Sequence, residues 1–108
     1  MSKFISLFHI LIVGSLFLYL GINKTNVPKY THKFLLVLGI IIIGYHLYKM
    51  YLYGKPNWVN LMHIIFIGPL LFYIGYNKEK TAEWIYQIIL LLGFAVIGYH
   101  GYYLIKSM

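Results

Sequence analysis

Four long apolar stretches, separated by short polar ones, dominate the pattern of hydrophobic and polar positions along the chain. They run approximately over residues 4–22, 34–53, 58–76 and 84–105. Each is long enough to cross a hydrocarbon core of about 30 Å, which takes roughly 20 helical residues. The polar stretches contain Pro28, Gly54 and Pro56, which favour turns. The pattern therefore predicts four transmembrane helices with antiparallel neighbours.

The chain also repeats itself with a shift of 54 residues and no gap. The shift places His9 on His63 and Gly14 on Gly68, and it places residues 44–48 on residues 98–102 as Gly-Tyr-His-x-Tyr. Roughly a third of the positions are identical, and most of the others exchange Leu, Ile, Val and Phe. The repeat predicts a first transmembrane hairpin over residues 1–54 and a second over residues 55–108.

Each predicted copy holds an even number of spans, so both copies enter the membrane in the same direction. The expected fold is all-α: an integral membrane four-helix bundle of two tandem hairpins, with a pseudo-twofold axis along the membrane normal and both termini on one side. Small residues let lipid-embedded helices approach closely. The glycines predicted to pack in this way are Gly14, Gly21, Gly39, Gly44, Gly68, Gly75, Gly93 and Gly98.

Composition supports a membrane environment and excludes several functions. The 108 residues are 61% hydrophobic and only 10% charged, whereas soluble domains carry about 25% charged residues. The net charge of +7 comes from lysines scattered over the ends of the apolar stretches, so we expect anionic lipid headgroups and not nucleic acid as partners. There is no cysteine, no phosphate-binding loop and no paired carboxylate motif. We therefore predict that the chain is not an enzyme.

Histidine is the residue type with the widest chemistry here. Counting from the predicted loops places four histidines near one depth, where they could form a ring: His9, His46, His63 and His100. Neutral imidazoles bind transition metals and the iron of haem b, and they also transfer protons. The simpler interpretation is packing near the interface without a cofactor, because no span holds a carboxylate to orient a ligand histidine. His32 falls in the predicted loop 23–33, outside this set.

The exclusive use of lysine over arginine, the many Ile, Tyr, Asn and Phe residues and the short length resemble small membrane proteins of large DNA viruses with AT-rich genomes. The resemblance is one of composition over the whole chain. It implies a virion or host membrane, with other membrane or capsid proteins as partners. We expect a structural or scaffolding role. The alternatives are a haem- or metal-binding protein that uses the four histidines, and a proton or cation pathway.

Overall fold

The computed structural model describes residues 3–55 and 57–108, and over these residues it is all-helical, without strands. Its four long helices are α1 (Lys3–Asn23), α2 (Lys29–Tyr53), α3 (Trp58–Lys80) and α4 (Glu83–Lys106). The four predicted helices are therefore confirmed. The largest boundary difference is at the start of α2, which begins at Lys29, directly after Pro28, and not at residue 34. His32 is consequently a helical residue and not a loop residue.

Contacts divide the chain into two units. Unit 1 comprises Met1–Val27 and Ala82–Met108 and holds α1 and α4, while unit 2 comprises Pro28–Thr81 and holds α2 and α3. These units cut across the predicted hairpins, since each unit takes one helix from each half of the sequence.

Each unit has its own apolar core. The buried hydrophobic side chains of unit 1 are Phe17, Leu20, Ile85, Tyr86 and Ile89. Those of unit 2 are Leu35, Ile67, Leu70, Leu71 and Ile74. Outside these cores the helices are largely uncovered. Of the most apolar 18-residue stretch of each helix, only 11% to 33% is buried. All four helices are long and apolar enough to cross a membrane.

Glycines mark the closest approaches between the helices of each unit. In unit 1, a Cβ atom built on Gly21 would lie 2.6 Å from the Cβ atom of Leu90. In unit 2, a Cβ atom on Gly75 would lie 2.5 Å from the carbonyl oxygen of His32. Comparable contacts occur at four further predicted positions, Gly14, Gly39, Gly68 and Gly93.

Gly44 and Gly98 lie apart from these close approaches. A Cβ atom on either residue would have no described atom within 4 Å. The reason is helical geometry, because each glycine directly follows the isoleucine that meets the partner helix, Ile43 or Ile97. Consecutive residues point about 100° apart around a helix. These two glycines therefore lie beside the line of residues that contacts the partner helix and not on it.

Helix α1 and the α-helical part of α3 end in the same way. Lys24 and Lys78, the residues that follow, have φ values of 55° and 54°. Only glycine adopts positive φ without a steric cost. The side-chain amides of Asn23 and Asn77 each donate a hydrogen bond of 2.9 Å to the carbonyl four residues earlier. Two positions that lie 54 residues apart thus share an unusual backbone conformation.

Candidate functional site: two stacked histidine pairs

The four histidines singled out from the sequence lie in two stacked pairs, one in each unit. In unit 1 the rings of His9 and His100 have centroids 4.2 Å apart and planes inclined by 16°. In unit 2 the rings of His46 and His63 have centroids 4.1 Å apart and planes inclined by 20°. Each pair joins the two helices of its unit. The structure thus brings these residues together as two pairs of rings within the units.

A π-helical turn begins at one histidine of each pair. It covers His9–Gly14 in α1 and His63–Ile67 in α3. Such wide turns are rare and occur frequently at functional sites. A Cβ atom on Gly68 would lie 2.9 Å from the carbonyl oxygen of His63, and one on Gly14 would lie 3.3 Å from that of His9. These two glycines thus accommodate the wide turn as well as the neighbouring helix.

Hydrogen bonds within α1 and α3 assign the tautomers of His9 and His63. Nδ1 of His9 lies 2.8 Å from the carbonyl oxygen of Ile5, and Nδ1 of His63 lies 2.7 Å from that of Val59. A carbonyl oxygen can only accept, so Nδ1 carries the proton and donates it in both rings. In the neutral ring, Nε2 then carries the lone pair that accepts a proton or binds a ligand.

His46 is oriented by a side chain from the neighbouring helix. Its Nδ1 atom lies 2.7 Å from Oδ1 of Asn60, which is buried in α3. Because the amide oxygen accepts, His46 is also assigned the tautomer protonated at Nδ1. The residue 54 positions before Asn60 is Ser6, which is buried in α1. Unit 1 therefore has a hydroxyl where unit 2 has an amide.

Two polar residues beside the histidines, Asn60 and Ser6, were not predicted as site residues. The sequence has no carboxylate in any span to orient the histidines, whereas backbone carbonyls and one amide take that role here. A signal was present in the sequence, because a polar residue stands three positions before a histidine in both Ser6-x-x-His9 and Asn60-x-x-His63. A lone polar side chain in an apolar span requires a hydrogen-bond partner.

Tyrosines flank one ring of each pair. Tyr45 packs edge-on against His46, and Tyr99 packs edge-on against His100, with ring centroids 5.1 Å apart in both cases. This contact follows the predicted repeat, since each tyrosine directly precedes its histidine. Edge-to-face contacts of aromatic rings are favourable. Each of these two imidazoles therefore contacts a tyrosine ring as well as the second histidine of its pair.

The stacked arrangement does not suit a shared metal ion or haem iron. An imidazole holds a metal ion in its own ring plane, about 2 Å from the nitrogen. Two stacked and nearly parallel planes converge only far beyond that distance, and a haem held from both sides would have to separate the rings. Among the described residues, no group of three or more His, Cys, Asp or Glu side chains could hold a metal ion. The cofactor alternative stays a prediction that these ring positions do not favour.

His32 lies apart from the pairs. It is buried near the start of α2, fourteen residues before His46 or about 21 Å along the helix. Its Nε2 atom has no hydrogen-bond partner within the described chain. Tyr86, 54 positions later, is buried in unit 1.

No protein-family model matches the chain, and no curated protein or solved structure matches it.

Proposed function

We propose that the protein is a small multi-pass membrane protein with a structural or scaffolding role, with four spans and both termini on one side. The observation that carries this proposal is the combination of close packing within each unit and apolar side chains left uncovered around it. Exposed apolar surface of this extent requires lipid or protein partners. The compositional resemblance favours a virion or host membrane, with membrane or capsid proteins as those partners.

A tandem duplication of two hairpins, related by a pseudo-twofold axis in a four-helix bundle, is part of this proposal. Recurrent backbone features support it beyond sequence identity. The π turns begin at His9 and His63, and the positive φ values occur at Lys24 and Lys78. Both features recur with the 54-residue shift that aligns the two halves of the sequence.

Replacing all four paired histidines with alanine tests the structural role. We expect the purified variant to remain membrane-inserted and helical by circular dichroism, with a lower unfolding temperature because the stacking contacts are lost. Visible absorption and elemental analysis of the wild-type protein, expressed with haem and metals supplied, form the second arm. A protein that carries stoichiometric haem or metal, and loses it in the variant, would contradict a purely structural role.

Proton transfer at the histidine pairs is the second candidate function. It is favoured by the tautomers, since Nδ1 of His9, His46 and His63 is occupied as a donor and Nε2 carries the lone pair of each neutral ring. A proton acceptor needs only one lone pair, whereas two histidines that bind the same metal ion must both direct a lone pair at it. The stacked rings therefore suit proton transfer better than metal binding.

Liposomes loaded with a pH-sensitive dye test this second candidate. A pH gradient across the membrane should dissipate faster with wild-type protein than with empty liposomes, and replacing both His46 and His100 with alanine should abolish the difference. The His32→Gln variant is the matched control, because His32 lies outside both pairs, and it should retain the flux. Equal rates for wild-type protein and the double variant would exclude the candidate.

A further inference from the structure

An open apolar groove runs along unit 2 between α2 and α3. Its volume is about 560 Å³, within the range of small-molecule sites. The lining includes Ile40 and Ile43 from α2 and Pro69, Phe72, Tyr76 and Asn77 from α3. The eight-residue step from Pro69 to Asn77 corresponds to about 12 Å along the helix axis. The groove therefore follows α3 from the middle of the helix to its loop end.

Two aromatic rings line part of the groove wall. The rings of Phe72 and Tyr76 are nearly parallel, with centroids 6.2 Å apart and planes inclined by 12°. Pro69 contributes its pyrrolidine ring at the end near the middle of α3, and Asn77 contributes an amide at the loop end. A slot of this kind accommodates an extended apolar chain whose polar end lies beside the loop.

Lysines surround the loop end of the groove. Lys33 precedes Ile40 by seven residues, two helical turns, and so lies on the same side of α2. Lys78 directly follows Asn77. With Lys29 and Lys80 there are four lysines against the single acid Glu79, a net charge of +3. The four lysine side chains are exposed.

The corresponding positions of unit 1 differ in both shape and charge. At the positions 54 residues away, unit 1 has Ser15 in place of Pro69 and Ile22 in place of Tyr76. It has the larger Phe94 in place of Ile40. At the loop end, Lys24 forms an ion pair with Glu83, the residue that stands at the position of Lys29. Unit 1 is therefore close to neutral where unit 2 is basic.

We propose that the groove of unit 2 binds an anionic phospholipid, with an acyl chain along Phe72 and Tyr76 and the phosphate beside Lys33 and Lys78. The apolar slot matches the acyl chain, and the surplus of lysines matches the anionic headgroup. Each basic residue near an anionic membrane surface strengthens binding by about fivefold. The inference rests on the proposed membrane location.

Native mass spectrometry of the full chain tests the lipid site. Detergent-purified protein is mixed with equal amounts of phosphatidylglycerol and phosphatidylcholine that carry the same acyl chains. We expect the wild-type protein to retain one phosphatidylglycerol in preference to phosphatidylcholine. Lys33→Gln and Lys78→Gln should each lower that preference by about fivefold. Both positions are exposed, so these variants should fold normally.

A second variant separates the shape of the groove from its charge. Ile40→Phe combined with Pro69→Ser and Tyr76→Ile gives three positions of the groove the side chains of unit 1 and should abolish retention of both lipids. The Lys24→Gln variant is the matched control, because it removes a lysine at the equivalent loop end of unit 1, and it should leave the preference unchanged. Equal retention of the two lipids by the wild-type protein, or equal losses in Lys24→Gln and Lys78→Gln, would overturn the proposal.

Two further outcomes would also decide against the lipid. The chain has no cysteine, so Tyr76→Cys introduces a single thiol beside the groove. Efficient disulfide-linked dimers of this variant in phosphatidylglycerol bilayers would identify a second copy of the chain as the occupant. Extraction of the wild-type protein from membranes by alkaline carbonate would refute the membrane location itself. Carbonate resistance without lipid preference would refute only the lipid site.

Discussion

Units 1 and 2 share their packing and differ in their polar chemistry. Both have a stacked histidine pair, a π turn that begins at one of its histidines, and glycines at the closest helix approach. Unit 1 has buried Ser6 and a paired charge at its loop end, whereas unit 2 has Asn60 and a surplus of lysines beside a groove. The comparison teaches that close helix packing requires small residues in both units, whereas the polar residues beside the packed helices can differ.

The largest expected effect on stability comes from replacing a glycine at a helix contact, and its size depends on which atoms the glycine faces. Gly75 faces backbone atoms of α2, while Gly14 faces the side chain of Ile97. We expect Gly75→Ala to lower the free energy of unfolding by about 3 kcal/mol and Gly14→Ala by about 1 kcal/mol, because a side chain can move and a backbone cannot. Equilibrium unfolding in detergent measures both. Gly44→Ala is the control and should stabilise α2 slightly through helix propensity. Equal losses at Gly75 and Gly44 would contradict the assigned contacts.

Removing the amide of Asn60 tests the difference between the two histidine pairs. Asn60→Ala leaves Nδ1 of His46 without its acceptor, which should cost about 2 kcal/mol of folding stability. The ¹⁵N chemical shifts of the His46 ring should report protonation at Nδ1 in the wild-type protein and a mixture of tautomers in the variant. Ser6→Ala, in the other unit, should leave those shifts unchanged. A wild-type His46 protonated at Nε2 would refute the assignment.

Replacing either of the two lysines at positive φ with glycine should increase stability. Lys78→Gly should stabilise the protein by about 1 kcal/mol, because glycine adopts this backbone conformation without the steric cost. Lys24→Gly should gain about as much, because the exposed ion pair with Glu83 that it removes contributes little. Thermal unfolding of the two variants side by side measures both gains. A loss of stability in Lys78→Gly would show that its backbone is not strained.

The smallest expected effect is that of the ion pair in unit 1. Exposed pairs contribute little to stability, and the side chains of Lys24 and Glu83 are 42% and 68% exposed. We therefore expect Glu83→Gln to change the unfolding temperature within experimental error at physiological salt. A large decrease would mean that the ion pair contributes far more to unit 1 than its exposure indicates.

Hydropathy was sufficient to predict the helices, because four apolar stretches of membrane-spanning length leave few alternatives. The start of α2 was missed, because residues 29–33 are polar yet follow Pro28 without a helix-breaking residue. Close approaches occur at six of the eight glycines expected to pack. Gly44 and Gly98 repeat between the two halves, although they lie beside the residues that contact the partner helix. Repetition alone therefore does not identify a packing residue.

The histidine pairs were only partly predictable. Counting residues indicated that four histidines share a depth, but the direction of each ring depends on helix rotation at the π turns. No residue type specifies a π turn by itself, and glycine after an apolar run is common in membrane helices. The hydrogen bond from His46 to Asn60 joins two helices. Sequence spacing within one helix could not reveal it.

The π turns have a mechanical consequence for how these helices vary. A π turn contains one residue more than the α-helical turn that it replaces, so deleting one residue from 10–13 would restore regular α-helix. That deletion would leave His9 and the glycines that follow on the same faces of α1, because the wide turn absorbs its extra residue with little net rotation. It would shorten the helix without turning His9 away from His100. Each π-containing helix can thus gain or lose a single residue at this turn while its two segments keep their relative rotation.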